Sequence, residues 1–130
     1  MKKTLILLVA AAGLLAATVA CATDAPQAPT DPAAQIAQIA AMDGKEIYRN
    51  VCKTCHGAEA EAGEYTPMSL IMEQWDEFFQ DTFLKTHEAL TCPSDKDTKL
   101  IEVLTKDALK KVQKFCVDHA ADSEQPMTCG

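Results

Sequence analysis

Aromatic residues are few in this chain of 130: one Trp, two Tyr and four Phe. A single small domain with so few large rings has little margin for a core of its own. A large bound apolar group would close that gap. Basic residues are also in deficit, with 12 Lys and Arg against 19 Asp and Glu and a net charge of −7. Such a surface repels phosphate backbones, so no nucleic-acid partner is expected. The chain has no internal repeat, no Gly-x-Gly-x-x-Gly and no phosphate-binding loop. It is too short for a multidomain enzyme. Beyond Ala20 no apolar run is long enough to cross a bilayer.

The first 21 residues read as a signal peptide. Lys2 and Lys3 precede an apolar run from Leu5 to Ala20, the charged and apolar regions of an export leader. Ala20-Cys21-Ala22 fits ordinary cleavage. Thr18-Val19-Ala20-Cys21 resembles a bacterial lipobox, which would leave Cys21 as a lipidated first residue and membrane anchor. The lipoprotein reading is preferred. Residues 22–40 read as a tether rich in Pro and Ala, and residues 41–130 as the folded domain. Either form of export places the protein in the periplasm, where disulfides persist.

Helical periodicity dominates the remainder. Asp43-x-x-Glu46 is a capping box that opens a helix with Ile47, Tyr48 and Val51 on its apolar face. Residues 35–42 can add a helical turn or two before it. Gly57, Gly63 and Pro67 mark a loop over 57–67. A second helix is expected from Ser69 to Thr86, with Ile71, Trp75, Phe79 and Phe83 on one face. A turn over Cys92 to Asp97 and a short segment over Thr98 to Leu104 follow. A last helix is expected from Lys106 to Ala121, its stripe formed by Ala108, Val112, Phe115, Cys116 and His119. The end of the chain from Asp122 reads as irregular.

Cys52-Lys53-Thr54-Cys55-His56 is C-x-x-C-H, the attachment signature of c-type haem. Two thiols at this spacing add across the two vinyl groups of one porphyrin. The adjacent imidazole then reaches the iron. A thioredoxin-like redox pair would need a βαβ context, and zinc would need a second ligand pair; neither is visible.

The segment from Gly44 to Gly57 (GKEIYRNVCKTCHG) resembles the first helix and haem site of class I cytochromes c. Pro67-Met68-Ser69-Leu70 is similar to the family's Pro-x-x-Leu segment. The resemblance implies a small all-α domain wrapped around one covalently attached haem. Cys52 and Cys55 would form the thioethers and His56 would be the proximal iron ligand. It also implies that the Pro67 carbonyl accepts the second imidazole N–H of His56, which would orient the ring. The last helix would cross the first.

The family usually supplies a distal methionine before the last helix, but this chain has none between Met72 and Met127. Met127 is the first candidate for the sixth ligand, in a Pro-Met pair after the last helix. His87 is the second, because it continues the stripe of residues 71, 75, 79 and 83. His119 and a five-coordinate iron are further alternatives. Methionine would suit a higher potential and a second histidine a lower one. Cys92, Cys116 and Cys129 allow a disulfide to Cys129, or Cys116 is simply a buried apolar residue. Trp75 reads as core, or as a contact to the haem edge. Acidic residues from Glu59 to Glu64, and lysines 106, 110, 111 and 114, offer charged faces to redox-partner proteins or to solvent.

These features point to a monomeric one-electron carrier rather than an enzyme, since no side chains look poised for acid–base work on a substrate. The alternatives are a haem enzyme or gas sensor with an open distal site, and a fixed haem subunit of a larger electron-transfer complex.

Overall fold

The computed structural model describes residues 31–93 and 95–127. The leader, Cys21, the tether up to Thr30 and Cys129 lie outside them. The fold is mostly helical, as expected. No described helix is long and apolar enough to cross a membrane.

The first helix, α1, spans Pro32–Ala41. Asp31 caps it by accepting the Ala34 N–H at 3.1 Å, and Pro32 suits the first turn because its missing N–H would be unpaired there anyway. Its Ile39 side chain lies in the core. The Lys111 ammonium donates to the carbonyls of Ala40 and Met42 at 2.8 and 2.9 Å, closing the helix C-terminus. The boundary expected at residue 41 therefore falls inside packed structure. Residues 32–40, read as the end of the tether although 35–42 were allowed a helical turn or two, belong to a docked helix in which Ile36 and Ile39 find apolar partners.

Helix α2 spans Gly44–Asn50 and carries the expected capping box. Asp43 accepts the Glu46 N–H at 2.8 Å, and Glu46 returns to the Asp43 N–H at 2.9 Å. Ile47 and Tyr48 are buried. The expected second helix is three pieces in sequence: α3 (Met72–Glu77), a π turn (Phe78–Thr82) and α4 (Phe83–His87). Two short antiparallel strands follow, β1 (Thr91–Cys92) and β2 (Asp95–Lys99), where a turn and the start of a short segment of unassigned type were expected. Thr98 is buried in β2, and its hydroxyl donates to Asp95. This bond and the Asp97 N–H hold the Asp95 carboxyl below the usual carboxylate range. Helix α5 (Leu100–Val103) leads to α6 (Lys106–Asp118).

Helix α6 is the spine. Its Ala108, Val112, Phe115 and Cys116 are buried, four of the five stripe residues read from sequence. Helices α1, α2 and α3 all pack on it. The α2–α6 contact realises the crossing implied by the family resemblance, with the Tyr48 and Phe115 rings 5.5 Å apart. Two bonds tie the chain after α6 to the start of α3. Ala121 N–H donates to Leu70 at 3.1 Å, and Met72 N–H donates to Asp122 at 2.8 Å.

Candidate haem site

Helix α2 ends at Asn50, and the chain tightens into a 3-10 turn over Cys52–Thr54. The Cys52 carbonyl accepts the N–H groups of both Cys55 and His56, at 3.1 and 2.9 Å. This closed turn gathers Cys52, Cys55 and His56 at the end of a helix anchored on α6. Burial pushes the Cys52 thiol up to about 12. A neutral, partly buried sulfur of this kind suits a thioether better than a reactive thiolate.

The loop after His56 folds back in two turns. Ala60 N–H donates to Gly57, and Gly63 N–H donates to Ala60, each at 3.0 Å. Gly63 has φ of 85°, a left-handed conformation that glycine adopts without strain. Its carbonyl lies 3.2 Å from His56 Nδ1. A carbonyl can only accept, so Nδ1 carries the proton and the Nε2 lone pair is left for a metal. The Tyr65 ring stands edge-on to His56 with centroids 5.3 Å apart. The Tyr48 hydroxyl donates to the Tyr65 carbonyl at 3.1 Å, and burial pushes that phenol up to about 12.

The expected bond from His56 to the Pro67 carbonyl is corrected here. That carbonyl accepts the Trp75 indole N–H at 2.8 Å instead. Pro67 and Trp75 are both buried, so the indole finds its partner inside the core, and the role of orienting His56 passes to Gly63. In the sequence Gly63 showed only as a loop breaker. A backbone carbonyl leaves no residue-type signal.

His87 ends α4, and its ring centroid lies 6.2 Å from that of His56. His87 Nδ1 lies 2.8 Å from the Phe83 carbonyl and 2.9 Å from the Thr86 hydroxyl. By the same donor argument its Nε2 is free of the proton. The Phe83 ring stacks on His87 at 4.3 Å with 15° between planes, and Phe78 stands edge-on at 6.4 Å.

Met127 sits after α6. Its N–H donates to the His119 carbonyl at 3.2 Å, and its side chain packs against the core. His119 Nδ1 lies 2.7 Å from the Gln125 carbonyl, and its ring meets Phe115 at 4.8 Å. These contacts give His119 the packing role. Cys92 and Cys116 are buried, and burial pushes both thiols upward. No disulfide joins the described cysteines. Among the described residues no three His, Cys, Asp or Glu side chains converge as a metal cage, so zinc would lack ligands at Cys52 and Cys55.

The donor set fits haem: two thiols one turn apart, an adjacent imidazole with Nε2 available, and the His87 ring, backed by Phe83 and Phe78, facing it. A family model described as Cytochrome c matches residues 41–115. No curated protein and no solved structure gives a significant match. The family match spans more than half the chain and takes in α2, the Cys52–His56 turn and most of α6, so the chain belongs to the cytochrome c family, with covalently attached c-type haem and a role in electron transfer.

Proposed function

We propose that the protein is a one-electron carrier of the periplasm, exported by its leader and tethered to a membrane through lipidated Cys21. The observation that carries the reading is the facing pair of His56 and His87, whose ring centroids lie 6.2 Å apart, with Phe83 and Phe78 packed on His87. A site for a diatomic gas or peroxide needs room and polar groups above the iron. His87 at 6.2 Å from His56, backed by Phe83 and Phe78, takes up that room.

The haem supplies an iron that changes oxidation state by one electron. The protein's own residues hold it and limit its rearrangement. Cys52 and Cys55 fix it covalently, and His56, steered by the Gly63 carbonyl, ligates from one side. Tyr65 stands edge-on to His56, and Phe83 and Phe78 pack on His87, so rings support both imidazoles. Export is supported by Lys2, Lys3 and the apolar run to Ala20. Partners are redox proteins that approach the haem edge.

Carbon monoxide added to the reduced holoprotein tests the carrier reading. An unchanged spectrum is the expected result. Rapid carbon monoxide binding together with a high-spin ferric spectrum would replace the carrier with a sensor or enzyme.

A further inference from the structure

We infer that His87 is the sixth ligand of the haem iron, so that the iron is held by two histidines rather than by histidine and methionine. The inference rests on the haem-carrier reading above and adds the identity of the distal ligand.

The first argument is distance. A metal–imidazole bond is about 2.0 Å and the ligating nitrogen lies about 1.1 Å from its ring centre, so two imidazoles on opposite sides of one metal have centroids about 6.2 Å apart. The His56 and His87 centroids are 6.2 Å apart. The second argument is protonation. Each Nδ1 lies within hydrogen-bond distance of a backbone carbonyl, Gly63 for His56 and Phe83 for His87. Each ring is thereby held as the tautomer whose Nε2 can bind a metal, and a carbonyl bond of this kind also raises ligand basicity. Neither Nε2 has a hydrogen-bond partner among the described residues.

The third argument is the helix that carries His87. Trp75, Phe79, Phe83 and His87 are four apart, and each such step overshoots an α-helical turn by about 40°. Three steps would carry His87 well away from Trp75. The π turn at Phe78–Thr82 underwinds the helix and takes up part of that drift. The rings consequently form a ladder, with Trp75–Phe79 at 6.0 Å, Phe79–Phe83 at 5.4 Å and Phe83–His87 at 4.3 Å. Trp75 is fixed by its bond to Pro67, so the ladder runs from an anchored base to the imidazole. Phe83 is thus a positioning residue for His87. Met127 has no comparable arrangement; it is held beside His119 instead.

The test is the near-infrared and paramagnetic-resonance spectrum of the oxidised holoprotein, compared with His87→Ala, His87→Met and Met127→Leu. The wild-type protein is expected to be low-spin without a sulfur-to-iron band. Met127→Leu should leave spectrum and potential unchanged. His87→Ala should turn the iron high-spin, and added imidazole should restore the low-spin form. If His87→Ala yields no holoprotein, His87→Met is expected to show the sulfur band and a higher potential. A wild-type sulfur band that disappears in Met127→Leu would overturn the assignment while leaving the carrier reading intact. A low-spin spectrum unchanged in His87→Ala would also overturn it. Carbon monoxide binding to the wild-type protein would instead count against the carrier itself.

Discussion

Gly44→Ala destabilises the domain by about 1–3 kcal/mol or more, the usual cost of forcing atoms into a closed contact. At Gly44 the backbone of α2 lies against α6. A Cβ added there would lie 2.2 Å from the Lys111 carbonyl oxygen, and 2.9 Å from both the Lys111 carbonyl carbon and Phe115 Cβ. The nearest atoms are backbone, so no rotamer change relieves the clash and the helices must separate. Alanine in place of glycine gains about 1 kcal/mol of helix propensity at most, which does not offset the overlap. Separation would also reach the site. Phe115 packs on Tyr48, and Tyr48 bonds the carbonyl of Tyr65, whose ring stands beside His56. Guanidinium unfolding of the holoprotein measures the loss. Gly57→Ala is the control, because its Cβ would meet only the Lys53 carbonyl, at 3.2 Å. Gly57→Ala is expected to change stability by a small fraction of the Gly44→Ala effect. Equal costs at the two positions would mean that the α2–α6 approach is looser than described.

The double substitution Cys52→Ala, Cys55→Ala removes covalent haem altogether. Each single substitution leaves one thioether. The sulfurs lie three residues apart in a turn closed by the Cys52 carbonyl, so losing one does not displace the other or His56. Acidic acetone extraction followed by a haem stain of the denatured chain separates the cases. The wild-type chain keeps all its haem, each single variant keeps haem through its remaining link, and the double variant keeps none. Growth at a lower temperature should raise the yield of the double variant. The polypeptide has only seven aromatic residues for its core and depends on the cofactor for the rest. Haem retained covalently by the double variant would place the attachment elsewhere.

The sequence was informative where chemistry depends on residue type and close spacing. The capping box at Asp43 and Glu46 and four of the five stripe residues of α6 are local patterns that occur as read, and the Cys52–His56 motif lies on a closed turn. His87 was read as the second candidate, behind Met127, because it continues the four-residue spacing of residues 71, 75, 79 and 83. The π turn that keeps this stripe on one face was not legible, since no residue in Phe78–Thr82 demands it. The orientation of His56 was misplaced for a related reason. Its partner is a main-chain oxygen, and which carbonyl arrives depends on the left-handed turn at Gly63 and on Trp75 engaging Pro67. Helix α1 was legible only in part, as a turn or two over residues 35–42. Its alanines resemble those of a linker, and Ile36, Ile39, buried Gln35 and the distant Lys111 hold it on the domain. The close approach at Gly44 is invisible in one sequence, where it looks like any first-turn glycine.

An optical redox titration of the purified, exported protein tests the central claim most directly. The account predicts one covalent haem per chain and a single reversible one-electron wave, the same in the oxidising and reducing directions, with a low-spin spectrum in both states. A chain that holds no covalent haem after export, or a haem whose wave is irreversible and accompanied by a change of spin state, would contradict it.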